Sequence, residues 1–420
     1  MKRRAFVKWA AAFPLLAQVG LEQAFGAGWA QVARNSTDNI YTRLGVKPLI
    51  NGRGTWTYLS ASLELPEVRA AQVEAAQHFV NIFDLQQAAG RRLSQLTGAE
   101  SGMITSGAAG AIAVATAGCI AGTDPEKVWQ LPDTDGLKNE VVIVGGRSVF
   151  DSAIRLTGAK LVVAKTAEQI PNAVTTNTVM IYTTSPTEQL AKEIAVAKDH
   201  HVPIFMDAAD GIPPVNKLQL FWKMGCDLYT FSGGKGLCGP QSSGILLGRK
   251  DLIDAALANS NPWEGAVCRP MKVGKEEIMG CLAAVEAWLK MDVDKLNKQW
   301  EERVQRIATL VETVPGVEAK VYMPSDENQC PTLMVTWDQA AWRYTTADCA
   351  RELLEGTPSI AVLTADNPSD VLSRNPAHRK TRKHDTLQIV SMTLRPGEEI
   401  IIGQRLRQLL TQARRQETAG

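Results

Sequence analysis

The chain has 420 residues, of which 45% are hydrophobic and 21% charged, which excludes disorder, a collagen-like repeat and a small disulfide scaffold. That length allows two to three domains at about 150 residues each. A net charge of +1, from 45 basic and 44 acidic residues, gives no footprint of a dedicated nucleic-acid binder and leaves a large soluble enzyme as the leading class.

Residues 1–30 read as an address. The chain opens Met1-Lys2-Arg3-Arg4-Ala5-Phe6-Val7-Lys8, continues without a charge over 9–21, and reaches small residues around 24–30. A basic start, an apolar middle shorter than a membrane span and small residues suited to cleavage make a secretory signal. The adjacent Arg3-Arg4 resembles the twin-arginine export pattern, with Lys2 where that pattern has Ser or Thr. Cleavage after Gly26 or Ala30 is expected to leave a periplasmic protein with no stable membrane anchor. Loss of Lys2, Arg3, Arg4, Lys8 and Glu22 removes a net +3, so the mature chain would stand near −2. Twin-arginine export carries folded proteins, as that resemblance implies, so a cofactor bound before export is expected.

After an N-terminal arm over 31–60, residues 61–275 alternate apolar strands with amphipathic helices. Strands are predicted at 102–106, 141–145, 160–164, 178–183, 202–207, 227–231 and 244–248, and helices at 108–121, 150–157 and 188–200. The strands are continuously apolar, as when helices cover both faces of a sheet. The alternation predicts an α/β sandwich. Two linking helices follow, at 276–291 and 295–314. A smaller α+β unit over 316–415 has strands near 317–322, 332–337 and 387–392 and a final helix from 398 to about 414. The polar stretch 366–385, with Arg374, Arg379, Lys380, Arg382 and Lys383, reads as a solvated charged loop. Seven scattered cysteines include no C-x-x-C pair, and the five histidines lack metal-ligand spacing beside them, so no metal is expected.

Chemistry concentrates at three strand ends. Phe231-Ser232-Gly233-Gly234-Lys235-Gly236 sets a lysine among glycines after an apolar strand, where its amine can meet a carbonyl compound and form a Schiff base. Asp207 ends another strand, either as a ligand-facing acid at the carboxyl edge or as a turn cap. Thr105-Ser106-Gly107-Ala108-Ala109-Gly110 opens an alanine-rich helix, which suits a phosphate on its N–H groups or close helix–sheet packing. Pyridoxal phosphate needs a Schiff-base lysine and an acid at its ring nitrogen.

In order and spacing these segments resemble the fold-type I pyridoxal-phosphate enzymes, in the branch of bacterial selenocysteine synthase and the D-glucosaminate and D-glucosaminate-6-phosphate ammonia-lyases. Leu49-Ile50-Asn51, Leu96-Thr97-Gly98-Ala99-Glu100, Asp207-Ala208-Ala209 with Pro213-Pro214, Gly239-Pro240-Gln241 and Met392-Thr393-Leu394-Arg395-Pro396-Gly397 carry the rest of the likeness, over roughly 40–412. The resemblance implies an aspartate aminotransferase-like three-layer sandwich, pyridoxal 5'-phosphate as cofactor and a homodimer or higher homo-oligomer. It makes Lys235 the Schiff-base lysine and proton carrier and Asp207 the partner of the ring nitrogen. Ser106, Gly107, Ala108 and Ser232 would hold the phosphate, and Arg395 would clamp the substrate carboxylate. Relatives tend to carry His-Arg where this chain has Gly146-Arg147, which leaves Arg147 or Phe150 to cover the ring. They also tend to have a small residue at Asp210, here available to a hydroxylated substrate. The expected reaction is α,β-elimination from a small β-hydroxy amino acid such as D-glucosaminate, giving ammonia and a 2-keto acid. The alternatives are β-replacement, racemisation, transamination and an exported, catalytically silent scaffold. A selenium transferase would need charged tRNA, which neither the export signal nor the charge favours.

Overall fold

The computed structural model describes residues 38–325, 328–364 and 386–419. The expected signal at 1–30 and the whole of the basic stretch 366–385 lie outside the described residues. Its centre is a seven-stranded sheet. In chain order its strands are β2 (Ser101–Thr105), β3 (Glu140–Val144), β4 (Lys160–Ala164), β5 (Thr178–Thr183), β6 (Ile204–Asp207), β7 (Leu228–Ser232) and β8 (Gly244–Gly248), and they lie in the order β2-β8-β7-β6-β5-β3-β4. Strands β4, β3, β5, β6 and β7 run parallel, and β8 pairs antiparallel with both β7 and β2.

Because neighbouring residues of a strand point to opposite faces, each apolar run feeds two cores. Val142, Val144, Ile181, Ile204 and Met206 pack on one side with Leu93, Leu190, Ile194 and Trp288. Val141, Ile143, Met180, Tyr182 and Phe205 pack on the other with Ile112, Ile253 and Ala256. Each such buried aliphatic side chain contributes about 1.5–3 kcal/mol. The expected α/β sandwich with a mainly parallel sheet is therefore present. The alanine-rich helix Gly107–Ala121 is buried along most of its length. Its small residues admit a close neighbour: a Cβ on Gly118 would lie 2.8 Å from the backbone nitrogen of Ala256.

Beyond the helices Lys275–Lys290 and Val293–Val311, a three-stranded antiparallel sheet runs in the order β12 (Leu387–Val390), β10 (Thr332–Thr336), β9 (Glu318–Tyr322). Its own core joins Val304, Ile307, Leu333, Ile389, Leu406 and Leu410. Beside it β1 (Leu49–Gly52) pairs in parallel with β11 (Ser359–Val362), so the segment before the large sheet is fastened to the C-terminal third.

The sequence pattern misses these two strands and the helices Pro66–Ala75, Ile82–Thr97, Lys217–Met224, Lys250–Ala258 and Thr346–Glu355. Asn81 was the readable signal for one of them, since its side chain caps Ile82–Thr97 by accepting from the N–H groups of Phe83 and Asp84. The final helix runs to Ala419, five residues past its expected end.

Candidate active site

Three strand ends converge at the carboxyl edge of the large sheet, where open α/β sheets bind ligands. After β2 the chain turns at Gly107, whose φ of +75° is open to glycine at little cost. Thr105 Oγ1 closes the turn by donating to the Gly107 carbonyl at 2.9 Å. No side chain caps the helix that follows, and its first turn holds no acidic residue. Space is kept by glycines: a Cβ on Gly110 would sit 2.6 Å from Ser106 Oγ, and one on Gly244 would sit 2.7 Å from the Ala108 nitrogen. Ser106, Gly107 and Ala108 thus present a helix start whose positive end suits an anion.

Asp207 ends β6 with 8% of its surface exposed. Its Oδ2 accepts from the Tyr182 hydroxyl at 2.6 Å and its Oδ1 from the Ala209 N–H at 3.1 Å. Burial pushes the Asp207 carboxyl up, against the pull of those two donors and of the nearby Lys235 charge. Burial, and then the Asp207 charge, pushes the Tyr182 phenol well above its usual range, so Tyr182 stays a donor. The parallel register sets Tyr182 beside Phe205, and the two rings stack at 5.9 Å. Tyr182 also meets the Ser148 side chain, which brings the turn after β3 to the same place.

Ser232 ends β7, and Lys235 stands on the loop beyond it. The glycines around it answer to backbone proximity: a Cβ on Gly236 would lie 1.7 Å from the Ile212 carbonyl oxygen, and one on Gly234 would lie 2.5 Å from the Gln241 Cα. The Lys235 side chain is 20% exposed, and its Nζ stands 3.6 Å from Asp210 Oδ2. The stretch 53–65 closes over this loop. Ser62 donates its hydroxyl to the Gly234 carbonyl at 2.6 Å, and the Leu65 N–H donates to the Cys238 carbonyl at 3.0 Å.

The other expected residues hold local partners or face solvent. Arg147 forms an ion pair with the buried Asp151. Phe150 is about half exposed. Arg395 binds the nearly buried Glu398 through Nε at 2.7 Å and Nη2 at 2.6 Å. Sequence reasoning overlooked Tyr182, Asn328 and Arg53, the last a buried cation over the rings of Trp56 and Tyr58 at 4.7 and 5.7 Å. The cysteines form no disulfide, and burial pushes the Cys281 thiol up to about 11, which marks a packing residue.

Pyridoxal phosphate asks for a reachable amine, an acid for its ring nitrogen and bare donors for its phosphate. Lys235, the Tyr182-bonded Asp207 and the uncapped helix start meet those three needs, and the residues present fit the group.

The SelA family model, described as L-seryl-tRNA selenium transferase, matches residues 50–322. A 5'-C-glycyluridine monooxygenase-decarboxylase of Streptomyces sp is 32% identical over 339 residues, 76% of this chain and 83% of that protein. A D-glucosaminate-6-phosphate ammonia lyase of Salmonella typhimurium is 29% identical over 302 residues, 68% of this chain and 78% of that one. Among solved structures, a D-glucosaminate-6-phosphate ammonia-lyase superposes with a TM-score of 0.74 at 27% identity, covering 90% of this chain and all of that one. With the matched segment spanning all three strand ends, this chain belongs to the SelA family.

Proposed function

We propose that the chain is a pyridoxal-phosphate-dependent lyase. It eliminates the β-hydroxyl of a small amino acid such as D-glucosaminate and releases ammonia and a 2-keto acid. The observation that carries this reading is the meeting, at one sheet edge, of the Lys235 amine, the buried Asp207 and the uncapped helix start at Ser106. The likeness to an ammonia lyase supports the reaction class. Bound there, the cofactor supplies an electron sink for the substrate's α-carbon.

The chain's own residues do the rest. Lys235 anchors the cofactor and afterwards takes the α-proton on Nζ. Asp207 holds negative charge opposite the ring nitrogen, aimed by Tyr182 and Ala209. Backbone N–H groups at Gly107 and Ala108, with the Ser106 and Ser232 hydroxyls, grip the phosphate. Arg395 takes the substrate carboxylate in place of Glu398.

Purified protein loaded with pyridoxal phosphate is expected to form ammonia and keto acid from D-glucosaminate. Formation of neither, from this or any other β-hydroxy amino acid, defeats the reading. The likeness to a monooxygenase-decarboxylase favours a second one, in which the same α-carbon loses carbon dioxide. Oxygen uptake with carbon dioxide release would select it.

We also infer export through the segment 1–30 and a homodimer or larger homo-oligomer. Such an assembly would cover the exposed apolar side chains of Leu63, Val73, Phe79 and Phe83.

A further inference from the structure

The cofactor reading employs Lys235 and Asp207 and leaves Asp210 without a defined chemical step. Asp210 Oδ2 is 3.6 Å from Lys235 Nζ, and its side chain is 44% exposed. The turn that carries it is clamped from two remote parts of the chain. Asn328 Nδ2 donates to the Asp210 carbonyl at 2.7 Å and also to that of Ile212. Asn328 Oδ1 in turn accepts from the Thr55 hydroxyl at 3.1 Å. The sheet edge, the N-terminal stretch and the segment before β10 together hold one carboxylate against one amine. Asp207, the other acid acting on this pair, is buried and already accepts from Tyr182 and Ala209. It therefore cannot exchange a proton with a substrate side chain, whereas a half-exposed carboxylate beside the reacting amine can.

We propose that Asp210 is a catalytic acid, which receives the α-proton from Lys235 and delivers it to the departing β-oxygen. The proposal rests on the elimination reading. The Cα–H bond breaks, its proton goes to Lys235 Nζ, and its electron pair is held on the bound cofactor. That proton passes from Nζ to Asp210. The Cβ–O bond then breaks as the electron pair returns to make a Cα–Cβ double bond. The oxygen leaves as water, with its own hydrogen and the one from Asp210. Lys235 ends as a neutral amine and Asp210 as a carboxylate, with no oxidant or reductant consumed.

The test compares wild type, Asp210→Asn and Asp210→Glu, all loaded with pyridoxal phosphate, on D-glucosaminate and on β-chloro-D-alanine, whose chloride departs without a proton. Keto-acid release and exchange of the α-hydrogen in heavy water are followed together, and the visible cofactor band reports loading of each variant. Asp210→Asn is expected to lower turnover of the hydroxy substrate by about 10²–10⁴-fold, the usual span for a general acid. Its turnover of the chloro substrate and its α-exchange stay within about threefold of wild type, because neither asks for a protonated leaving group. Asp210→Glu restores part of the loss. Equal losses on both substrates would show that Asp210 only positions Lys235, which overturns the proposal and spares the elimination reading. A wild type that acts on the chloro substrate and exchanges the α-hydrogen of D-glucosaminate, yet never releases its hydroxyl, defeats the elimination reading and this step with it.

Discussion

The sheet edge and the C-terminal unit bring site residues together by opposite means. Backbone sets the stage at the sheet edge. Glycine at 236 lets the lysine loop press on the Ile212 carbonyl, and the β5–β6 register puts Tyr182 under Asp207. Lys235 and Asp207 are therefore fixed from behind. In the C-terminal unit the fixing is done by side chains, and Arg395 spends its guanidinium on Glu398 three residues away. Groups that the backbone aims at the reacting atoms act on the rate. A group that must first exchange a partner acts on binding, and weakly.

The largest effect belongs to Lys235. Lys235→Ala is expected to remove the visible band that borohydride bleaches in wild type, and to lower turnover by about 10⁴-fold or more, since base and anchor go together. A borohydride-sensitive band surviving in this variant would move the chemistry to another lysine and dissolve the contrast.

Asp207→Asn comes next. Turnover is expected to fall by about 10²–10³-fold, the scale for one charge-stabilising group, while the cofactor-free protein gains stability at neutral pH. The sign follows from burial, which raises the Asp207 carboxyl above the usual aspartate range. A group whose folded pKa is raised adds stability that is complete below its unfolded pKa and is lost as the pH climbs through the folded one. Urea unfolding of the cofactor-free wild type is therefore expected to show a decline, as the pH rises above the usual aspartate range, that Asp207→Asn lacks, with the difference vanishing toward the acid end. Parallel curves at every pH would mean that Asp207 is not strained by burial.

Tyr182→Phe tests the support behind Asp207. Losing a buried hydrogen bond to a charged group costs about 1.5–3 kcal/mol at neutral pH. It also pushes the Asp207 carboxyl further up, because Tyr182 is the first of the groups that hold it down. The cost shrinks once Asp207 is protonated, so the unfolding difference from wild type is largest above that transition. A turnover loss of about tenfold, equal to 1.36 kcal/mol of barrier, is expected beside it.

The same contrast explains what could be read in advance. Asp207 and Ser106 end apolar runs, Lys235 follows one on a glycine loop, and each sits next to glycine or alanine, a local pattern that survives in the sequence. Tyr182 lies inside such a run and reads as core. Its role exists only through the register of β5 on β6, which local sequence does not encode. Arg53 reads as a charge after a short apolar stretch, yet it is 1% exposed. Its burial follows from the parallel pairing of β1 with β11, some 310 positions away. Asn328 looks like a loop residue, and only the closed fold puts it between Thr55 and Asp210. The clamp expected at Arg395 was legible as a residue; its engagement with Glu398 is a side-chain detail of the folded turn.

Arg395→Ala is the smallest and sharpest test of the comparison. A clamp that stood free would raise KM by about 100-fold when removed, about 2.8 kcal/mol at 1.4 kcal/mol per decade. Here the substrate carboxylate replaces Glu398, so part of that gain is cancelled by the pair it breaks. The expected rise in KM is about tenfold or less, with kcat unchanged because the contact is the same before and during reaction. Stability falls by no more than about 1 kcal/mol, as for other partly exposed ion pairs. Glu398→Gln supplies the converse: with its competitor neutral, Arg395 is released to the substrate and KM falls. If Arg395→Ala changes stability alone and Glu398→Gln leaves KM where it was, Arg395 is a fixture of the last helix's first turn. The carboxylate would then be sought by another cation of the site.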